Sequence, residues 1–148
     1  MALGAGCLLA SPACWPAVVD ATQARSGAEF VTVARGAHSG VREPLEATVR
    51  TPEGWVALWA RHAGPAATAP SVDFATEMIV AVFAGTRPTS GYAVEITQVL
   101  MMDQGLRVTY RVRRPPAGAV VLPALTAPFH IIRLPRSDGP VDFVQDAA

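Results

Sequence analysis

The sequence predicts an α+β domain built mainly from antiparallel β-sheet with one packed helix, or, as the alternative, a β-sandwich with an appended helix. Three observations carry this. Residues 77–84, Glu-Met-Ile-Val-Ala-Val-Phe-Ala, form a short run apolar on both faces, and residues 92–100 follow as an alternating strand pattern. Residues 106–113 alternate without a break, which places one face in a core and the other in water. Only one stretch has a clear helical period, and Thr51-Pro52-Glu53 opens it with an N-cap hydroxyl, a proline at the first helical position and an acid near the positive end of the dipole.

Taken in order, residues 1–21 are apolar, contain Pro12 and Pro16, and carry no basic residue. They are too broken for a membrane-spanning helix, which needs about 20 apolar residues. They have the character of an export-signal remnant, with Cys7 and Cys14 as candidate points for a lipid anchor. Residues 22–29 form a linker, 30–144 a single domain and 145–148 a tail. Strands are expected at 30–34 and 45–50. In the helix, Trp55, Leu58, Trp59 and His62 share one face, and Gly64-Pro65 ends it. The two tryptophans are therefore expected as core anchors rather than as a sugar platform. After residues 106–113 come a break at Pro115-Pro116, a short strand at 120–122, a strand at 129–134 and a closing strand at 141–144.

Charge excludes one class of function. Twelve acidic residues balance twelve basic ones, and all twelve basic residues are arginine. The all-arginine usage reads as the coding bias of a GC-rich bacterial genome, and a nucleic-acid binder would show a basic excess. Arg107, Arg111 and Arg113 share the outward face of one strand, as a solvated face or as a stripe that meets an acidic partner.

Catalytic chemistry finds no coherent set. His38, His62 and His130 are isolated, without His or Cys at ligand spacing, so no metal or cofactor is expected. Ser39 lies in Gly36-Ala37-His38-Ser39-Gly40, which does not have the spacing of a nucleophile elbow. A Ser39–His130–Asp73 triad would need three scattered residues to converge. Asp73, Glu77 and Glu95 show no pairing that suits glycoside hydrolysis. A binding module is the better reading, with a hydrolase using His130 or His38 as the rival and a small envelope ligand-binding module as a third class.

The decorated loop Gly85-Thr86-Arg87-Pro88-Thr89-Ser90-Gly91-Tyr92 lies between the two strand patterns. Its length exceeds the needs of a tight hairpin. Arg87, Pro88, Thr89, Ser90, Gly91 and Tyr92 are therefore the first candidates for contact with a partner, with Arg107, Arg111, Arg113 and His130 as secondary ones.

The order of motifs resembles the PrcB C-terminal domain family. It runs from Trp55-Val56-Ala57-Leu58-Trp59 through Pro70-Ser71-Val72-Asp73-Phe74 and the Gly85–Tyr92 loop to Thr126-Ala127-Pro128-Phe129-His130-Ile131-Ile132. The resemblance covers roughly residues 33–144. It implies a bacterial exported or cell-envelope protein without catalysis of its own, acting as an accessory or stabilising subunit of a protease. Arg87-Pro88-Thr89-Ser90-Gly91-Tyr92 is also similar to the loop that chagasin-type cysteine-peptidase inhibitors insert into a protease cleft, with Arg where those proteins have Asn. This implies a peptidase inhibitor as the alternative.

Overall fold

The computed structural model describes residues 26–146. The expectations for Cys7, Cys14 and an export signal lie outside them. The eight strands are β1 (Ser26–Gly27), β2 (Val31–Gly36), β3 (Pro44–Val49), β4 (Glu77–Ala84), β5 (Ala93–Met102), β6 (Gly105–Arg113), β7 (Phe129–Pro135) and β8 (Val141–Gln145), with helix α1 (Pro52–Ala63) between β3 and β4. They form two four-stranded sheets, ordered β1-β5-β6-β8 and β2-β7-β4-β3. The mainly β, α+β reading holds, in the form of two sheets with one helix laid on the second.

The three layers follow from the side-chain periods. Alternation along β4 sends Met78, Val80, Val82 and Ala84 towards the first sheet, where they pack with Val94, Ile96, Leu106, Val108 and Tyr110. Ile79, Ala81 and Phe83 face the other way, against Trp55, Leu58 and Phe74. β4 is thus covered on both faces, which explains a continuous apolar run rather than an alternating one. Each large side chain buried in this way contributes roughly 1.5–3 kcal/mol. β5 and β6 have one covered face and alternate accordingly.

Helix α1 begins where expected. Thr51 Oγ1 accepts the Gly54 N–H at 3.1 Å, and the Gly64 N–H closes the far end on the Ala60 carbonyl at 2.9 Å. Trp55 is 3% exposed and its indole N–H donates to the Pro70 carbonyl at 2.8 Å. Trp59 and His62 are only half-buried, with Trp59 packed against the second core and the His62 ring against Phe129.

Several local expectations change. Residues 26–27, inside the expected linker, form β1 and pair with Leu100 and Met101. Residues 120–122 form no strand, since their backbone partners belong to a loop rather than to a ladder. β8 runs parallel to β6. β7 ends at the pole where β6 begins, so after the turn at residues 136–140 the chain enters beside Leu106 and travels in the same direction.

Antiparallel pairing sorts the connections to two poles. Pairing of Pro44 with Ala84, Phe83 with Phe129, Gly36 with Phe129 and Ala93 with Arg113 brings residues 37–43, 85–92 and 114–128 to one pole. β1, the Asp103–Gln104 turn and residues 136–140 lie at the other.

Candidate binding surface

The three connections at the first pole are tied into one body. The Thr86 N–H donates to the Arg42 carbonyl at 3.0 Å and the Ala127 N–H to the Ala37 carbonyl at 2.7 Å. Arg87 and Thr126 exchange both backbone bonds, at 2.7 and 2.9 Å, and the Thr126 hydroxyl donates to the Thr89 carbonyl at 2.9 Å. Ser90 holds Leu122 from two sides. Its N–H donates to the Leu122 carbonyl at 3.0 Å, and its Oγ accepts the Leu122 N–H at 2.8 Å. Gly91 has φ of 96°, a region L side chains rarely adopt, and a Cβ there would come within 2.8 Å of the Pro115 Cβ.

The first candidate residues are therefore together, but they face inward more than the sequence suggested. Arg87, Thr89, Ser90 and Tyr92 are half-buried, while Pro88 and Gly91 are exposed. The Arg87 guanidinium carbon stands 5.6 Å from the Tyr92 ring centroid, a cation–π distance. The loop is a buttress rather than a free finger.

The polar loop supports an apolar one. Residues 115–129 carry no charged side chain. Within them Val120, Leu122 and Leu125 are 101%, 67% and 64% exposed, while Thr126 and Ala127 are buried. Sequence reading missed this ledge. The signal was present as fifteen uncharged residues that contain four prolines and too little periodicity for a strand.

The arginine face is structural in geometry. Arg113 pairs with Glu95 at 2.7 Å, Arg111 reaches the same carboxylate at 4.0 Å, and Arg107 meets Asp142 at 3.3 Å. The Arg107–Asp142 pair is largely exposed and worth roughly 0–1 kcal/mol, while Glu95 is half-buried between Arg111 and Arg113.

His130 is not a surface residue. It is 2% exposed and lies between the sheets, because it falls in phase with Ile132 and Leu134. The Ile96 N–H of β5 donates to its Nδ1 at 2.8 Å, so Nε2 carries the proton and donates to Thr32 Oγ1 of β2 at 2.9 Å. A register shift between Ile96 and Gln98 lies beside the point where β5 turns this N–H to a side chain rather than to a strand. Burial lowers the pKa of His130 to about 4, with the nearby Arg35 charge adding to the effect and Glu95 opposing it. Tyr110 makes a second bridge between sheets through its hydroxyl, which donates to Glu46 at 2.6 Å. Burial first, then the Glu46 carboxylate, raises its pKa.

Ser39, His130 and Asp73 do not converge. Asp73 caps its own turn, accepting the Ala75 N–H at 3.1 Å. Ser39 instead meets His62. Its Oγ accepts the Val41 N–H at 3.1 Å and donates to His62 Nδ1 at 2.9 Å. The Gly40 N–H donates to the His62 carbonyl at 2.8 Å, so residues 39–41 are sewn to the end of α1. A Cβ on Gly40 would meet the Arg61 carbonyl at 2.3 Å, which requires glycine there. Burial lowers the His62 pKa, and the ring packs edge-on to Phe129 with centroids 4.2 Å apart. Among the described residues, no group of three His, Cys, Asp or Glu side chains is placed to hold a metal, and no helix is long and apolar enough to cross a membrane.

No curated protein and no solved structure matches the chain. The family model described as PrcB C-terminal matches residues 78–135. The matched stretch runs from β4 to β7 and contains both the buttress and the ledge, so this part of the chain is similar to the PrcB C-terminal family, the one that the order of motifs resembles.

Proposed function

We propose that the chain is a non-catalytic accessory domain that binds a bacterial protease outside the cytoplasm and stabilises it. The observation that carries this reading is the PrcB C-terminal match over the strands and loops that build the first pole. The same pole offers a surface on which three connections are hydrogen-bonded into one body. Export rests on the composition of residues 1–21, with Cys7 and Cys14 as the candidate anchor points. The test is to follow a secreted protease of the same bacterium with and without the chain. Longer survival and co-purification with the chain are expected. An unchanged lifetime and no complex would remove the reading.

A hydrolase is the second reading, favoured by the 2.9 Å contact of Ser39 with His62. Ser39 is 7% exposed and its oxygen already serves the Val41 N–H, which suits a structural tie better than a nucleophile. Ester or peptide turnover that disappears in His62→Ala, with the fold intact, would establish the hydrolase instead.

A further inference from the structure

We propose that the partner docks on the Val120–Leu122–Leu125 ledge, through an uncharged apolar groove with carboxylates at its rim, and that the Gly85–Tyr92 loop serves to present the ledge rather than to touch the partner. This rests on the protein-binding reading above and assigns its contact surface.

Three observations converge. The first is exposure. Val120, Leu122 and Leu125 stand out from the surface in a segment with no charge to hydrate, and contiguous exposed apolar surface marks an interaction site. The second is rigidity. Leu122 is the most firmly held of the three, with its N–H and its C=O both bonded to Ser90, while Ala124 adds a turn bond to the same carbonyl at 2.8 Å. Val121, between two outward side chains, turns inward, where a Cβ on Gly91 would lie 3.4 Å from its Cγ1. Fixing an anchor before binding removes part of the ordering cost of association. Part of the decorated loop is thereby explained, since the Ser90 hydroxyl holds Leu122 and the backbone of Arg87 and Thr89 holds Thr126.

The third observation is charge, and it selects the occupant. Arg114 leads directly into the segment and Arg42 lies in the adjoining connection. Both are exposed, and neither has an ion pair among the described residues. The nearby Glu43 is taken by Arg61. A partner with acids around an apolar groove complements this rim. A second copy of the chain would set the same arginines against each other across a two-fold axis. A lipid surface would gain little from a leucine whose backbone is fixed on both sides, because insertion depends on apolar area rather than on fixed geometry.

The experiment places a photoreactive benzoylphenylalanine at position 122 of the full chain, with position 53 on the exposed start of α1 as control, and irradiates in the native host. Adducts are identified by mass spectrometry and the captured protein is then purified. Adducts from position 122 to apolar residues of one protein are expected. Leu122→Asp should weaken its binding at least tenfold with an unchanged unfolding midpoint, and Arg114→Glu should weaken it several-fold, more at low salt. No adduct at 122, adducts from 53 alone, adducts only to lipid or to a second copy, or equal binding by Leu122→Asp would each overturn the assignment. A partner captured through the ledge that is not a protease would leave the ledge standing and remove the protease reading. A protease that binds Leu122→Asp as well as the parent would do the reverse.

Discussion

The two long connections at one pole invert what their compositions suggest. Gly85–Tyr92 is rich in hydroxyls and carries an arginine, yet most of its polar side chains are turned inward or bonded. Residues 115–128 are mostly alanine, valine, leucine and proline, yet Val120, Leu122 and Leu125 reach solvent. The difference comes from the backbone. The apolar segment has no regular ladder, so its N–H and C=O groups need partners from elsewhere, and the polar loop supplies them. Composition reports what a segment can bond to, while exposure depends on which neighbour needs that bonding.

The largest expected effect breaks both connections together. Gly91→Val must adopt a positive φ and push against Pro115, so it should cost ~3 kcal/mol and lower the denaturant midpoint accordingly. A parental midpoint would mean that the two connections are not in contact.

The next effect is one the loops should not share. His130 is neutral in the fold because its pKa falls from an ordinary 6.5 to about 4. The unfolded chain takes up a proton first as pH falls, so the contribution is complete above pH 6.5 and is lost progressively down to pH 4. Its size is about 3 kcal/mol. Urea unfolding should show this slope in the parent, and His130→Gln should flatten it. An equal slope in both would remove His130 as the cause. Amide exchange of Leu122 should stay protected at pH 5, if the polar pole is held independently of the sheets.

Ser90→Ala sharpens the comparison further. It removes the acceptor for the Leu122 N–H, and should cost about 1 kcal/mol and speed exchange of that amide. Leu122→Ser should be smallest of all, within about 0.5 kcal/mol, because the side chain is mostly exposed. Were Leu122→Ser the more damaging of the two, the ledge would be core and the buttress decoration.

How far the sequence could be read follows from the range of the interactions concerned. Helix α1 and strand β4 were legible to their ends, since capping and apolar runs are local signals. The division of strands into two sheets and the parallel course of β8 depend on pairings between distant residues, which alternation alone does not specify. His130 was placed on a strand correctly, but its partners Thr32 and Ile96 are remote in sequence. The Gly85–Tyr92 loop was found by its glycines and proline, and its inward orientation was not, because the need for it arises some thirty residues later, at Leu122 and Thr126.

The short strand β1 has a consequence for reach. Ser26 and Gly27 join β5 at Leu100 and Met101, so the chain enters the domain at the pole farthest from the ledge. The ten residues of β5 span roughly 33 Å between those poles. A tether joined ahead of Ser26 would therefore be fastened on the side opposite the ledge, and would leave the ledge facing away from its point of attachment.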